Sequence, residues 1–331
     1  MNGNILLALG PLSLTAYGLW IGAGALLWLL SACAVRRWKY RRLPAGAVWL
    51  GGFCMVVLGA LCSRAVYCAA NFDRFLGEGL KWLHLWEGGM SMAGALPGAA
   101  LGLLLAAGMA RVRPGRLMNC FAPGLGLFGL CVVAAQMTIG EGWGKIAEAA
   151  WVAQTPLGVR DLYGDVRYAV FRVEMWGCAL AVLAGLVPLC RRRPARFGAW
   201  CWAMGVYCAM RIVTASMREG AILRVEYFRI EQIAGAVMLL AVCVSRLVCG
   251  LRGGAGARAW AGLIVFLLGL GLCLWMEFAV DREGRLEEKY ALMSVGAALC
   301  LAGALGSGGS RGRRTEKQRA DRARMHGTGG K

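Results

Sequence analysis

The sequence predicts an all-α protein that crosses a membrane many times. Of its 331 residues, 59% are hydrophobic and the mean hydropathy is +0.57. A soluble domain has about 45–50% apolar residues. The apolar residues here form long runs that alternate with short charged segments. Since a helix needs about 20 mostly apolar residues to cross a bilayer core, we expect a polytopic transmembrane helix bundle.

Nine apolar runs are long enough to be membrane spans. They lie at residues 5–33, 46–70, 90–110, 117–139, 169–189, 198–214, 228–249, 259–280 and 289–306. The first run has no basic residues ahead of it and continues directly into a basic segment at 36–42. It is also too long for the apolar region of a signal peptide. We therefore predict that it is a span and that it is not cleaved.

Lys and Arg concentrate in alternate connecting segments. The segments 36–42, 111–116, 191–196 and 246–258 hold 5, 3, 4 and 3 of them, without an acidic residue. The other connecting segments hold nearly all of the Asp and Glu. Basic loops face the cytoplasm, which predicts an outer amino terminus, a cytoplasmic carboxyl terminus and an odd number of spans. This placement explains the net charge of +19 without nucleic acid.

The spacing of the runs predicts three parts. Residues 1–250 form the main membrane domain of about seven spans, and 251–306 add two further helices. The segment 140–168 is too polar to span and too aromatic for a disordered tail, so we expect a structured arm at the outer interface. The tail 307–331 is rich in Gly, Arg and Lys, which predicts a disordered cytoplasmic end attracted to anionic membrane lipids.

Cysteine and histidine usage argues against a metal site. Most of the 14 Cys lie inside apolar runs, and neither a CxxC pair nor a Cys/His ligand spacing occurs. Buried Cys of this kind act as small apolar residues. His84 and His326 are the only histidines. We therefore predict that the protein has no metal site.

Two arginines lie inside predicted spans, near their outer ends. Arg64 is in the second span and Arg211 in the sixth. A charge in a span usually faces the bundle interior or a wet cavity, although a long side chain can also reach the headgroups. Together the two arginines suggest a site for an anionic headgroup, because Arg binds phosphate through two parallel hydrogen bonds.

Two glycine-rich segments lie at the same predicted level. The first, W-E-G-G-M-S at 86–91, opens the third span. Its paired glycines allow close backbone approach and leave N–H groups for an anion, or they serve helix packing. The second, G-E-G-W-G-K at 140–145, follows the fourth span. Its carboxylate could accept a proton or orient an Arg, or the segment is a turn with an interfacial Trp.

The motifs and their order along the chain resemble those of the bacterial prolipoprotein diacylglyceryl transferase family, over about residues 10–245. W-E-G-G-M-S at 86–91 and A-P-G-L at 122–125 match family motifs letter for letter. The segment at 16–19 resembles W-Y-G-L, the one at 63–67 resembles G-R-L-G-Y, and the one at 140–145 resembles G-E-L-W-G-R. Residues 207–211 with Arg218 resemble Y-x-x-F-R followed by E-F-F-R, and Gln232 fits the last shared span.

The resemblance implies a reaction and a set of site residues. Such enzymes move the diacylglyceryl group of phosphatidylglycerol to the Cys thiol of a prolipoprotein lipobox, at the outer face of the plasma membrane. A thioether forms and glycerol phosphate leaves, and the resemblance implies that no metal or soluble cofactor is needed. The catalytic residues implied are Glu141, Arg211 and His84. The substrate-binding residues implied are Tyr17, Arg64, Gly88, Gly89, Ser91, Gln136, Trp143, Gly144 and Arg218.

The sequence also departs from the family motifs. Ala93 stands where the family has a His, Val133 where it has a lipid-binding Arg, and Ala215 where it has a Glu; of H-P-x-Q-L-Y-E only Glu174 is kept. Either His84 and one of Arg218, Arg224 and Arg229 replace the missing groups, or the scaffold binds lipid or a membrane partner without catalysis. A transporter would need broken helices in repeated halves or acids in the middle of spans, and the sequence has neither.

Overall fold

The fold is given by a computed structural model, which describes residues 5–9, 12–75, 89–191, 195–220, 224–225, 228–254, 256–280, 282 and 284–307. Within them lie eleven helices: α1 (Ala16–Lys39), α2 (Ala45–Ala70), α3 (Phe72–Phe75), α4 (Met92–Met109), α5 (Pro114–Thr138), α6 (Ala150–Ala153), α7 (Val170–Cys190), α8 (Gly198–Met217), α9 (Ile230–Arg252), α10 (Gly256–Val280) and α11 (Leu286–Gly306). Apart from α3 and α6, all are long helices of 18 to 26 residues.

The helix bundle confirms the predicted polytopic architecture. Eight of the long helices have the length and hydropathy to cross a membrane. The ninth, α8, is less apolar because it carries Trp200, Trp202, Tyr207 and Arg211. From the second span onward, each helix begins and ends within three residues of its prediction. The predicted tail lies outside the described residues, apart from Ser307.

The prediction for the start of the first span is wrong. Residues 5–15 contain two antiparallel strands, β1 (Ile5–Leu9) and β2 (Leu12–Thr15), and α1 begins only at Ala16. The Oγ1 atom of Thr15 accepts a hydrogen bond from the N–H of Gly18 at 3.1 Å, so Thr15 caps the helix. An apolar run alone does not distinguish a strand from a helix. The boundary between β2 and α1 could therefore not be predicted from the apolar run.

Glycines bring α2 and α4 into close contact. A Cβ atom at Gly94, Gly98 or Gly102 would lie 2.2 to 2.4 Å from a carbonyl oxygen of α2. These glycines are four residues apart, so they lie along one face of α4. Small residues of this kind let membrane helices approach closely. The glycines that continue the W-E-G-G-M-S motif therefore serve helix packing.

The helix α5 lies at the centre of the bundle and packs against α1, α4, α7 and α8. At one of its ends, Asn119 joins three elements. Its Nδ2 atom donates to the hydroxyl of Tyr40 at 3.3 Å and to the carbonyl of Ala195 at 3.1 Å, while its Oδ1 atom accepts from the N–H of Trp200 at 3.2 Å. These contacts fix two of the basic loops, 36–42 and 191–196.

The segment between α5 and α7 is folded, and we call residues 140–168 the arm. It contains α6 and a short hairpin of β3 (Gly158–Arg160) and β4 (Val166–Tyr168). Its first residues pair with the chain after α8, since Gly144 forms an antiparallel bridge with Arg218. Between α8 and α9 lie the two-residue strands β5 (Arg224–Val225) and β6 (Phe228–Arg229).

Candidate active site

A fully buried carboxylate organises the charged residues of the bundle. Glu174, in the second turn of α7, has no solvent exposure. Its Oε1 atom accepts from Nη1 of Arg211 at 2.6 Å and from Nε of Arg218 at 3.0 Å. Its Oε2 atom accepts from Nη2 of Arg218 at 2.5 Å. A buried charge needs such charge-assisted partners, because desolvation is costly. Glu174 therefore fixes both arginines.

Further contacts extend this cluster to neighbouring helices. Nη2 of Arg218 also donates to Oε1 of Gln136 on α5 at 2.6 Å. Nη2 of Arg211 donates to the carboxylate of Glu231, in the first turn of α9. The guanidinium of Arg229 donates to the main-chain carbonyl of Arg218. The cluster thus joins α5, α7, α8 and α9.

One donor of the cluster is unused. Arg218 is only 2% exposed, yet its Nη1 atom has no hydrogen-bond partner among the described residues. An unsatisfied buried donor is unfavourable. The Nη1 atom of Arg218 is therefore available to donate a hydrogen bond to an anion that enters the site.

The glycines at 140–144 form the turn that holds Glu141 against this cluster. Gly140 has a φ of +74° and Gly142 a φ of +98°, a left-handed conformation that glycine adopts readily. The N–H of Glu141 donates to the carbonyl of Gln136 at 3.0 Å. On the other side of the turn, the carbonyl of Trp143 accepts from the N–H of Glu219 at 3.1 Å. The segment is thus a turn, as one of the two sequence interpretations held.

The electrostatics of Glu141 tie it to the same residues. Burial raises the pKa of the Glu141 carboxyl above its usual range, Arg218 opposes this shift, and Glu231 adds to it. Tyr17, in the first turn of α1, also interacts electrostatically with Glu141, Glu231 and Arg218. A half-buried carboxyl with a raised pKa is suited to accepting a proton. The structure therefore brings Tyr17, Gln136, Glu141, Arg211 and Arg218 together.

A cleft opens beside the cluster, between α4, α8 and α9. Its free volume is about 10 Å³, room for about one water molecule, and it is partly open to the surroundings. It is lined by Met92, Ala93, Leu96, Cys208, Arg211, Glu231, Ala234, Gly235 and Met238. The charged groups come from the end of α8 and the start of α9, and the other lining residues are apolar or contain sulfur. Such a shape suits an amphipathic molecule with an anionic head.

Arg64 belongs to a second group of residues. It is 4% exposed, and its Nη1 atom donates to the carbonyl of Gly89 at 3.3 Å. Its guanidinium lies over the rings of Tyr67 and Phe75, at 5.6 and 5.3 Å from their centroids. These contacts hold Arg64 at the entrance to α4. Arg211 lines the cleft, whereas Arg64 does not.

The start of α4 is fixed by serines. Ser63 Oγ donates to the carbonyl of Ser91 at 2.9 Å, and Ser91 Oγ accepts from the N–H of Ala93 at 3.2 Å. Ser91 is thus the N-cap of α4. Gly89 has a φ of +69°, and a Cβ atom there would lie 2.5 Å from the ring of Tyr67. Ser91 and Gly89 therefore act on the backbone of the helix start.

Three of the positions that depart from the family motifs, Ala93, Val133 and Ala215, are buried. Ala93 lines the cleft, while Val133 lies in α5 and Ala215 in α8. His84 and Gly88 lie outside the described residues, as does the side chain of Arg224.

The list of candidate residues taken from the sequence omitted two carboxylates. Glu174 appeared only as a remnant of a family motif, and Glu231 did not appear. Both are acids just inside the start of a predicted span, at 169–189 and 228–249. An acid in that position is costly unless it has a partner. The same test that singled out Arg64 and Arg211 could therefore have found them.

Comparison with known proteins identifies the family. The family model for prolipoprotein diacylglyceryl transferase matches residues 4–248. Proteins named phosphatidylglycerol–prolipoprotein diacylglyceryl transferase are similar to this chain. The one from Allorhizobium ampelinum is 30% identical over 46% of this chain and 56% of its own length. Those from Ectopseudomonas mendocina and Synechococcus elongatus are 30% and 27% identical, over 48% and 55% of this chain and 60% and 63% of their own lengths.

The chain thus spans less than two thirds of the length of these curated relatives. The helices α10 and α11 lie beyond the matched range. The match nevertheless covers most of the chain and includes every residue of the charged cluster. This protein belongs to the prolipoprotein diacylglyceryl transferase family.

Proposed function

We propose that this protein transfers the diacylglyceryl group of phosphatidylglycerol to the lipobox Cys of prolipoproteins. The observation that carries the proposal is the position of Arg211. Glu174 holds one side of its guanidinium, and the guanidinium also lines a cleft whose remaining wall is largely apolar. A glycerophospholipid has the same division into an anionic head and apolar chains.

Lipid binding follows from the charges of the site. The phosphate of phosphatidylglycerol lies against Arg211, and the unused Nη1 of Arg218 supplies a further donor. The first part of the acyl chains follows the apolar wall formed by Leu96 and Met238. Arginine suits this role because its planar guanidinium pairs with phosphate oxygens through two hydrogen bonds.

The reaction requires the transfer of one proton and the departure of one anion. The lipobox thiol gives its proton to Glu141, whose raised pKa favours acceptance. The sulfur attacks the glyceryl carbon that carries the phosphate ester, so a C–S bond forms as the C–O bond breaks. Glycerol phosphate leaves with the electron pair. Arg211 and Arg218 offset the charge that develops on this leaving group.

The site faces the outside of the plasma membrane in this proposal. Its residues lie at the starts of α1, α7 and α9 and at the ends of α5 and α8. The opposite ends of these helices carry the basic loops, where Nζ of Lys39 donates to the carbonyl of Arg191 at 2.6 Å. The positive-inside rule assigns the basic ends to the cytoplasm. The tail continues on that side, where anionic lipids attract it.

A second candidate is a member of the family that binds lipid or a membrane partner without catalysis. It is favoured by Ala93, whose methyl group lines the cleft where a titratable side chain would face Arg211. Loss of a general base commonly lowers the rate by about 10²- to 10⁴-fold. In the transferase, Glu141 supplies that function, alone or together with His84.

Complementation distinguishes the two candidates. A strain depleted of its own transferase receives this chain, and lipidation of a reporter lipoprotein is measured as a mass shift. The transferase is supported if the chain restores lipidation and Glu141→Gln abolishes it; loss on His84→Ala would add that histidine to the site. If the chain fails but the double variant Ala93→His, Val133→Arg restores lipidation, the non-catalytic function is correct. Glu288→Gln, at an exposed side chain, is the control.

A further inference from the structure

The last two helices contact residues that support the site, although they lie beyond the range matched by the family model. Each does so through one carboxylate. From α10, Oε2 of Glu277 accepts from Nε2 of Gln232 at 2.8 Å. From α11, Oε1 of Glu287 accepts from the hydroxyl of Tyr168 at 2.7 Å and from the N–H of Ala149 at 3.2 Å. The two contacts act on different parts of the main domain, α9 and the arm.

The first contact leads to the backbone of Arg218. Besides its bond to Glu277, the Gln232 side chain accepts from the N–H of Arg229 at 3.2 Å through Oε1 and donates to the carbonyl of Ile212 at 3.3 Å. The guanidinium of Arg229 in turn donates to the carbonyl of Arg218. Glu277 therefore fixes the amide orientation of Gln232, and through Arg229 it fixes the end of α8.

The second contact leads to the same residue through the arm. Tyr168 is 3% exposed, and its ring packs edge-on against Tyr290 of α11 with 5.6 Å between centroids. Its carbonyl accepts from the N–H of Gly144 at 2.9 Å, and its N–H donates to the carbonyl of Lys145 at 3.1 Å. Gly144 is bridged to Arg218. Glu287 thus anchors β4, which pairs with the segment that follows the Glu141 turn.

We propose that the hairpin of α10 and α11 is a clamp that positions Arg218 from two sides, with Glu277 and Glu287 as its positioning residues. The proposal rests on the transferase function proposed above, because the clamp positions Arg218, one of the two arginines that bind the phosphate in that function. Neither carboxylate touches the substrate. Their effect is to hold the unused Nη1 of Arg218 where a phosphate oxygen meets it.

The kinetic test uses the full chain in nanodiscs that contain phosphatidylglycerol at graded content, with a lipobox peptide as acceptor. Glu277→Ala and Glu287→Ala each remove one contact. We expect the KM for phosphatidylglycerol to rise by about tenfold or more, because Arg218 is then displaced from the phosphate. A displacement of about 1 Å in a positioned group can lower the catalytic rate about a hundredfold. Glu277→Gln and Glu287→Gln keep an accepting oxygen and should restore the KM. Glu288→Ala, an exposed neighbour of Glu287, is the matched control.

The kinetic result separates positioning from a merely structural role. Loss of folded protein lowers the active fraction and hence kcat, but it leaves the KM unchanged. An unchanged KM in both alanine variants would therefore overturn the clamp. So would glutamine variants as impaired as the alanine variants, because the hydrogen bonds would then not explain the effect.

A second measurement does not depend on activity. Amide hydrogen exchange at residues 140–147 and 214–220 should become faster in Glu277→Ala and Glu287→Ala, and stay unchanged in Glu288→Ala. If the wild-type chain shows no transfer at all, the proposed function fails, and exchange alone then decides whether the clamp exists. Exchange that is the same in all variants would overturn it.

Discussion

Arg218 meets Glu174 through a two-pronged contact, with Nε donating to Oε1 at 3.0 Å and Nη2 donating to Oε2 at 2.5 Å. The two side chains are 3% and 1% exposed. The contact is buried together with the bond from Arg211 to the same carboxylate. Two positive charges therefore share this buried acid, although Arg211 has a second carboxylate partner in Glu231.

This dependence predicts that Glu174→Ala is strongly destabilising. Removing one partner of a buried ion pair costs about 3–5 kcal/mol, because the remaining charge is left uncompensated. Here Arg218 loses its carboxylate partner, while Arg211 keeps Glu231. Thermal unfolding in detergent should show the loss. Glu219→Ala, whose side chain is 49% exposed and pairs with Arg167, is the control and should change the unfolding temperature far less. Equal shifts in both variants would contradict the role given to Glu174.

Glu141 predicts opposite effects of one substitution on activity and on stability. Burial raises its pKa in the folded state, so the folded state favours the protonated form. The contribution of this carboxyl to folding stability is present below its unfolded pKa and is lost as the pH rises through its folded pKa. Glu141→Gln should therefore stabilise the protein at neutral pH while it abolishes transfer. Unfolding temperature measured against pH, together with the rate, checks both.

The pH–rate profile gives a further prediction for the same residue. Because only the carboxylate accepts a proton, kcat/KM should rise with pH through the folded pKa of Glu141. The midpoint of this limb should lie above about 4.3, the usual pKa of an exposed Glu. In Glu141→Gln the limb should be absent from any residual activity. A limb that survives the substitution would assign the titration to another group.

Gly89 and Gly140 form a matched pair for testing the start of α4. Both have a left-handed φ, +69° and +74°, so alanine at either position costs about 1–2 kcal/mol in backbone strain. At Gly140 a Cβ atom would meet nothing within 4 Å, whereas at Gly89 it would lie 2.5 Å from the Tyr67 ring and 2.9 Å from Nη1 of Arg64. Gly89→Ala should therefore lower the unfolding temperature more than Gly140→Ala does.

The sequence predicted the helices well because a physical constraint sets their length. The bilayer requires about 20 apolar residues per span, and the ends of α2, α7 and α9 follow from this requirement. The hairpin at 5–15 was not predicted, since its strands are as apolar as the span that follows.

Contacts between distant residues account for most of what the sequence did not reveal. Arg64 and Arg211 were expected to share one site because both lie near the same end of their spans. The structure instead places Arg64 against Gly89 and Arg211 against Glu174. Glu277 was not singled out, because an acid near the end of a span resembles any acid of the adjoining loop. Its bond to Gln232 depends on how α10 packs against α9.

The cleft predicts that lipid binding can be blocked without unfolding the protein. Ala93 is buried and lines the cleft from α4, so Ala93→Leu fills the cleft with three additional carbon atoms. We expect less phosphatidylglycerol to be retained on purification, as measured by native mass spectrometry, by a variant that stays folded although overpacking costs about 1–3 kcal/mol. Ala100→Leu lies on the same helix away from the cleft and should retain lipid. The measurement applies to the transferase and to the lipid-binding candidate alike, because both require the cleft to hold a lipid. Full retention of phosphatidylglycerol by folded Ala93→Leu would place the lipid elsewhere on the bundle and would remove the support that Arg211 gives to the proposed function.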